Sequence, residues 1–99
     1  MQKLRIDGTN GNDVLVAVPG GSIIYAANGD DILTGGIGDD VAVGEAGNDT
    51  IFGGDGRDTI YAGGGNDVIS GGTGSDIISG DGGNDRIDGG DGDDRLSGG

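Results

Sequence analysis

A chain of 99 residues with 27 glycines and three aromatics has the length of one small domain but too little apolar bulk for an ordinary globular core. Eighteen acidic residues against five basic ones, a formal charge of -13, make nucleic acid and anionic membranes poor partners and cations natural ones. The absence of cysteine and histidine excludes disulfides, thiolate metal sites and imidazole catalysis.

Residues 1–7 stand before the regular part of the chain. Ile6, between Arg5 and Asp7, reads as the inward residue of a lead-in strand, and the segment lacks the apolar region of a signal peptide. From Gly8 to Ser97 the chain repeats every nine residues, ten times, without insertion or deletion. The fourth position is glycine in all ten copies, from Gly11 to Gly92, and the eighth is aliphatic throughout, from Leu15 to Leu96. The sixth is aspartate in nine copies: Asp13, Asp31, Asp40, Asp49, Asp58, Asp67, Asp76, Asp85 and Asp94, with Ser22 the departure. The first three repeats are the least regular, since Ala17 and Ala26 replace the first glycine and Pro19 enters the second turn. Residues 98–99, Gly98-Gly99, begin an incomplete eleventh repeat.

Each repeat divides into a glycine-rich hexapeptide that must turn and a β-favouring tripeptide with one side chain inward. Collagen is excluded because its glycine period is three. A unit so small cannot bury its own apolar side, so identical units must wind as a solenoid. The predicted fold is all-β: two nonapeptide repeats per coil, strands falling alternately into two parallel sheets, eighth-position aliphatics meeting inside, and turns stacked along two edges. Residues eighteen apart then become neighbours.

The phase, the glycines and the aspartates together resemble the RTX calcium-binding nonapeptide repeat, over essentially residues 8–97. The resemblance implies a parallel β-roll, a right-handed solenoid, with calcium bound between stacked turns by main-chain carbonyls and by the sixth-position aspartates. Calcium takes six to eight oxygens in flexible geometry, which tight side-chain-free turns can supply. One edge carries Asp13, Asp31, Asp49, Asp67 and Asp85; the other carries Ser22, Asp40, Asp58, Asp76 and Asp94. Pairing neighbours predicts about seven Ca2+ ions, roughly +14 in charge, against the formal -13.

An isolated aspartate at a turn end ordinarily serves only the local backbone. Nine in register with hardly any basic counterpart would repel one another at strand spacing, which demands a cation. Fifth-position Asp30, Asp39 and Asp93 and third-position Asp55 and Asp91 share their positions with glycine, arginine, serine and others, so they are assigned to solvation. The inward aliphatics alone bury too little apolar surface to order so long a chain, which predicts a fold switched on by calcium.

The outward strand positions grade from Val14, Val16, Ile23, Tyr25, Ile32, Val41 and Val43 to Arg86, Asp88, Arg95 and Ser97. This predicts an apolar outer patch near the N-terminus that meets a neighbouring domain or a second copy; the uncapped ends invite self-association as well. No side chain set suits catalysis, and no enzyme is predicted. The resemblance implies a bacterial, secreted, extracellular setting, with the roll supporting type I secretion and folding outside the cell. The alternative is a structural or adhesive solenoid segment of a surface adhesin. An ice-binding face is not supported, because the third position shows no ladder of similar residues.

Overall fold

The computed structural model describes residues 4–98. Its strands, in chain order, are β1 (Leu4–Asp7), β2 (Val14–Val16), β3 (Ser22–Tyr25), β4 (Ile32–Thr34), β5 (Val41–Val43), β6 (Thr50–Phe52), β7 (Thr59–Tyr61), β8 (Val68–Ser70), β9 (Ile77–Ser79), β10 (Arg86–Asp88) and β11 (Arg95–Ser97). Among the described residues there is no helix. Strands alternate between a six-stranded sheet, ordered β1-β3-β5-β7-β9-β11, and a five-stranded one, ordered β10-β8-β6-β4-β2. Every pairing is parallel, and partners sit eighteen residues apart, as in Leu33↔Ile51 and Ile60↔Ile78. The chain is thus a parallel β-solenoid with two nonapeptides to a coil.

A three-residue strand can place one side chain inward, and the eighth position takes that place in every repeat. Ile24, Leu33, Ile51 and Ile60 are fully buried, with Ile69, Ile78 and Ala42 close behind. Ile6, Leu15 and Ile87 pack partly against them near the ends of the stack. Leu96, at the C-terminal end of the described stack, is 48% exposed. First-position Ala26 and Ala62 are also fully buried and Ala17 packs against the same cluster. The alanines that look like eroded glycines in the sequence therefore contribute methyl groups to the core.

Stacking continues into the turns through hydrogen bonds such as Gly44 N–H to the Tyr61 carbonyl, 2.8 Å, and Thr50 N–H to the Asp31 carbonyl, 2.8 Å. The fourth-position glycine is what permits this closeness. Gly47 has φ 113°, and a Cβ there would drive into the carbonyl of Gly29, its counterpart one coil earlier. No L-residue with a side chain meets both conditions.

The outward apolar residues are split by the topology. Val14, Val16 and Ile32 stand on the five-stranded sheet, whereas Ile23, Tyr25, Val41 and Val43 stand on the six-stranded sheet across the core. They form two surfaces on opposite sides, and apolar exposure extends well along the stack, to Val68 and Ile77. On the six-stranded face Arg5 closes the N-terminal end, bonded to Asp7 at 2.9 Å and lying 4.6 Å from the Tyr25 ring centroid.

Candidate metal centre

Two rows of turns flank the sheets. The turns leading into β2, β4, β6, β8 and β10 form one edge, and those leading into β3, β5, β7, β9 and β11 form the other. Each row stacks its sixth-position side chains. Along the first edge the Oδ1 atoms of Asp31, Asp49, Asp67 and Asp85 accept the backbone N–H groups of Asp13, Asp31, Asp49 and Asp67, at 2.7–2.9 Å. Along the second, Asp40, Asp58, Asp76 and Asp94 accept from Ser22, Asp40, Asp58 and Asp76 in the same way, at 2.7–2.9 Å. These bonds join each Oδ1 to backbone one coil away. Each carboxylate is thereby held in one orientation.

The second carboxylate oxygen is the informative one. Oδ2 of Asp31, Asp49, Asp67 and Asp85 on the first edge, and of Asp58 and Asp76 on the second, is buried with no hydrogen-bond partner. An anionic oxygen in that condition is costly unless a cation meets it. Its surroundings are shown by the first-position glycines. A Cβ on Gly44 would lie 2.6 Å from Asp49 Oδ2 and 2.6 Å from the carbonyl oxygen of Ala62, one coil on. On Gly53 it would lie 2.7 Å from both Asp58 Oδ2 and the Gly71 carbonyl; on Gly71, 2.6 Å from Asp76 Oδ2 and 2.8 Å from the Gly89 carbonyl. Carboxylate and carbonyl oxygens thus converge on a cradle that glycine leaves open, between one turn and the next on the same edge. Among the described residues no three acidic side chains gather on one point, so a cation held here draws on carbonyls as well as carboxylates. That all-oxygen donor set fits calcium.

Electrostatics agree with the geometry. Burial pushes Asp49 and Asp58 up to about 7 and Asp67 up to about 6, and raises Asp31 and Asp76, against the lowering effect of the N–H each one accepts. Carboxylates of adjoining coils add to the rise: Asp67 and Asp31 act on Asp49, and Asp40 and Asp76 act on Asp58. Without a countercharge, these five carboxylates resist ionisation.

The model of the RTX calcium-binding nonapeptide repeat matches the chain in four copies, at residues 7–42, 34–69, 43–78 and 70–99. The chain belongs to this family. Neither the curated proteins nor the solved structures gave a match. Membership implies calcium binding in an RTX-type protein, and RTX repeat proteins are typically secreted by bacteria.

The predicted ligands are not equivalent within the RTX roll. Asp31, Asp40, Asp49, Asp58, Asp67 and Asp76 are all buried, at 1–2% exposure. Asp85 joins them in having a buried Oδ2. Asp94 lies in the most C-terminal of the described coils, where the atoms nearest a Cβ on Gly89 would be those of its own carboxylate side chain. Asp13, at the other end, accepts the N–H of Thr9 at 2.7 Å and the Thr9 hydroxyl at 3.0 and 3.1 Å.

One set of residues carries a role beyond the solvation assigned to it. Fifth-position oxygens form a second ladder: Asn12, Asp30, Asn48 and Asn66 accept the N–H groups of Asp30, Asn48, Asn66 and Asn84, each at 2.8 Å. This ladder runs opposite to that of the sixth position, where the N–H donor comes from the earlier coil. On the other edge Asp39 accepts from Arg57, and Gly21 and Arg57 offer no side-chain acceptor. The signal was present in the sequence but hidden by reading all ten repeats as one column. Taken by alternate repeats, the fifth position is Asn or Asp five times out of five on one edge.

Proposed function

We propose that this chain is a calcium-dependent folding module, in which ions bind between successive turns on both edges and their binding is the condition for the roll to form. The ligands are the Oδ2 atoms of Asp31, Asp40, Asp49, Asp58, Asp67, Asp76 and Asp85 together with first-position carbonyls such as those of Ala62, Gly71 and Gly89. Asp94 would serve an ion only with a following turn. The observation that carries this reading is the row of buried Oδ2 atoms without a hydrogen-bond partner at Asp31, Asp49, Asp58, Asp67, Asp76 and Asp85, of which those of Asp49, Asp58 and Asp76 share an open cradle with a carbonyl of the next coil.

Bound calcium supplies the positive charge that lets the buried carboxylates remain ionised. The protein's own part is to aim them. Oδ1 is tied to the neighbouring coil, which fixes where Oδ2 points, and first-position Gly44, Gly53 and Gly71 keep the space before the Oδ2 atoms of Asp49, Asp58 and Asp76 clear. Because carbonyl and carboxylate come from adjacent coils, the complete donor set exists only in the stacked chain, which couples binding to folding. In the secreted, bacterial setting typical of the family, low calcium inside the cell would keep the chain open for export and higher calcium outside would fold it.

The test is a calcium titration of chelated protein followed by circular dichroism and calorimetry, with magnesium as control. Cooperative strand formation with calcium and little response to magnesium, which demands a smaller and stricter octahedral shell, is the expected outcome. Full strand signal in the presence of chelator would refute it.

A further inference from the structure

The two N-terminal turns are built differently from those that follow. In the first, the N–H and hydroxyl of Thr9 both donate to the carboxylate of Asp13, the N–H to Oδ2 at 2.7 Å. In the second, the N–H of Val18 donates to the hydroxyl of Ser22 at 3.2 Å, and Ser22 is fully buried with no carboxylate to leave over. In both, a second-position N–H points at the sixth-position side chain of its own turn. In the turns of Asp31, Asp49, Asp58, Asp67, Asp76 and Asp85 the Oδ2 has no such donor, and the second residue is left-handed, at φ 64–89°.

We infer that the first coil, turns 8–13 and 17–22, satisfies its sixth-position groups internally and takes no calcium. This rests on the calcium reading above and decides which turns that reading applies to. Asp13 carries the family's ligand residue, and its Oδ2 flanks the open side of Gly8 together with the Ala26 carbonyl, yet that oxygen already accepts the Thr9 N–H, with the Thr9 hydroxyl shared between the two carboxylate oxygens. Replacing those donors by a cation would leave the Thr9 N–H without its acceptor, a cost absent wherever glycine or a left-handed residue holds the second position. Ser22 offers a neutral hydroxyl already engaged, which calcium disfavours beside a carboxylate. Ion binding is therefore confined to the turns that follow the first coil.

The experiment is the calcium stoichiometry of the full chain by calorimetry, with circular dichroism at saturating calcium to confirm the fold. Asp13→Asn is expected to leave the number of bound ions unchanged, Asp49→Asn to lower it by at least one, and Thr9→Gly to raise it by one. A loss on Asp13→Asn equal to that on Asp49→Asn, or no gain on Thr9→Gly, overturns the inference while leaving the calcium reading intact. Should Asp13→Asn fail to fold, Thr9→Gly decides alone. Absence of calcium binding by the unmodified chain overturns both readings.

Discussion

The two edges of the roll solve one stacking problem with different chemistry. On the edge of Asp13, Asp31, Asp49, Asp67 and Asp85 an unbroken Asn/Asp ladder at the fifth position binds coil to coil. The same edge tolerates non-glycine residues in left-handed conformation, at Ala27, Glu45 and Asp81. On the opposite edge the fifth position is irregular, but the second is glycine in four turns running, Gly36, Gly54, Gly72 and Gly90. There the third position adds links, an Ile37↔Asp55 bridge and a bond of 2.7 Å from the Thr73 hydroxyl to Asp55. One edge thus holds its turns together with side-chain amides while carrying backbone strain; the other relaxes the backbone and binds less through side chains. What the edges share is the sixth-position carboxylate and the fourth-position glycine, so these belong to the proposed ion site and the close approach of turns rather than to either local device.

The largest effect on this comparison is expected from acid, because it acts on both edges together. In the absence of calcium, carboxylates raised by burial bind more protons in the roll than in the open chain, so stability falls as pH rises. That contribution is fully present below about 4, the unfolded value, and is lost as pH rises through the values near 6 to 7 reached by Asp67, Asp49 and Asp58. Chelated protein should therefore show more strand signal by circular dichroism at pH 5 than at pH 8, and calcium should bind more weakly at the lower pH. An edge-specific response, read from carboxyl titrations by nuclear magnetic resonance, would break the equivalence of the two rows.

Asp49→Ala and Asp58→Ala, one on each edge, should each cost about 3 kcal/mol of calcium-saturated stability in denaturant unfolding. Each removes a ligand and strands a buried N–H, of Asp31 or Asp40 respectively. Unequal costs would show that one edge contributes more to ion binding. The left-handed residues come next: Glu45→Gly and Asp81→Gly should each stabilise the roll by about 1 kcal/mol in the same assay, by relieving backbone that only glycine adopts freely. A destabilisation would mean that those side chains hold contacts outweighing the strain. The smallest effect tests the amide ladder. Asn48→Ala and Asn66→Ala should each cost roughly 0.5–1 kcal/mol, whereas Ser75→Ala on the other edge should change stability by less than about 0.5 kcal/mol.

Much of this arrangement is readable without coordinates. A nine-residue period with glycine, aspartate and one aliphatic in fixed phase leaves few options: the hexapeptide must turn, the tripeptide can send one side chain inward, and such units must stack to bury it. Hence the two parallel sheets, the inward line from Leu15 to Ile87 and the two rows of aspartates follow from local constraints repeated along the chain. Stacking itself decided the rest, because it makes neighbours of residues eighteen apart and separates odd repeats from even ones. Only then do Asn12, Asp30, Asn48 and Asn66 become a ladder, and the outward valines and isoleucines divide between opposite faces. Ala26 and Ala62, which look like lost glycines, become core for the same reason. The two oxygens of each carboxylate are alike in the sequence. In the roll a neighbouring coil's N–H claims one, and the other is left buried, beside a carbonyl at Asp49, Asp58 and Asp76, where its charge calls for a proton or a cation.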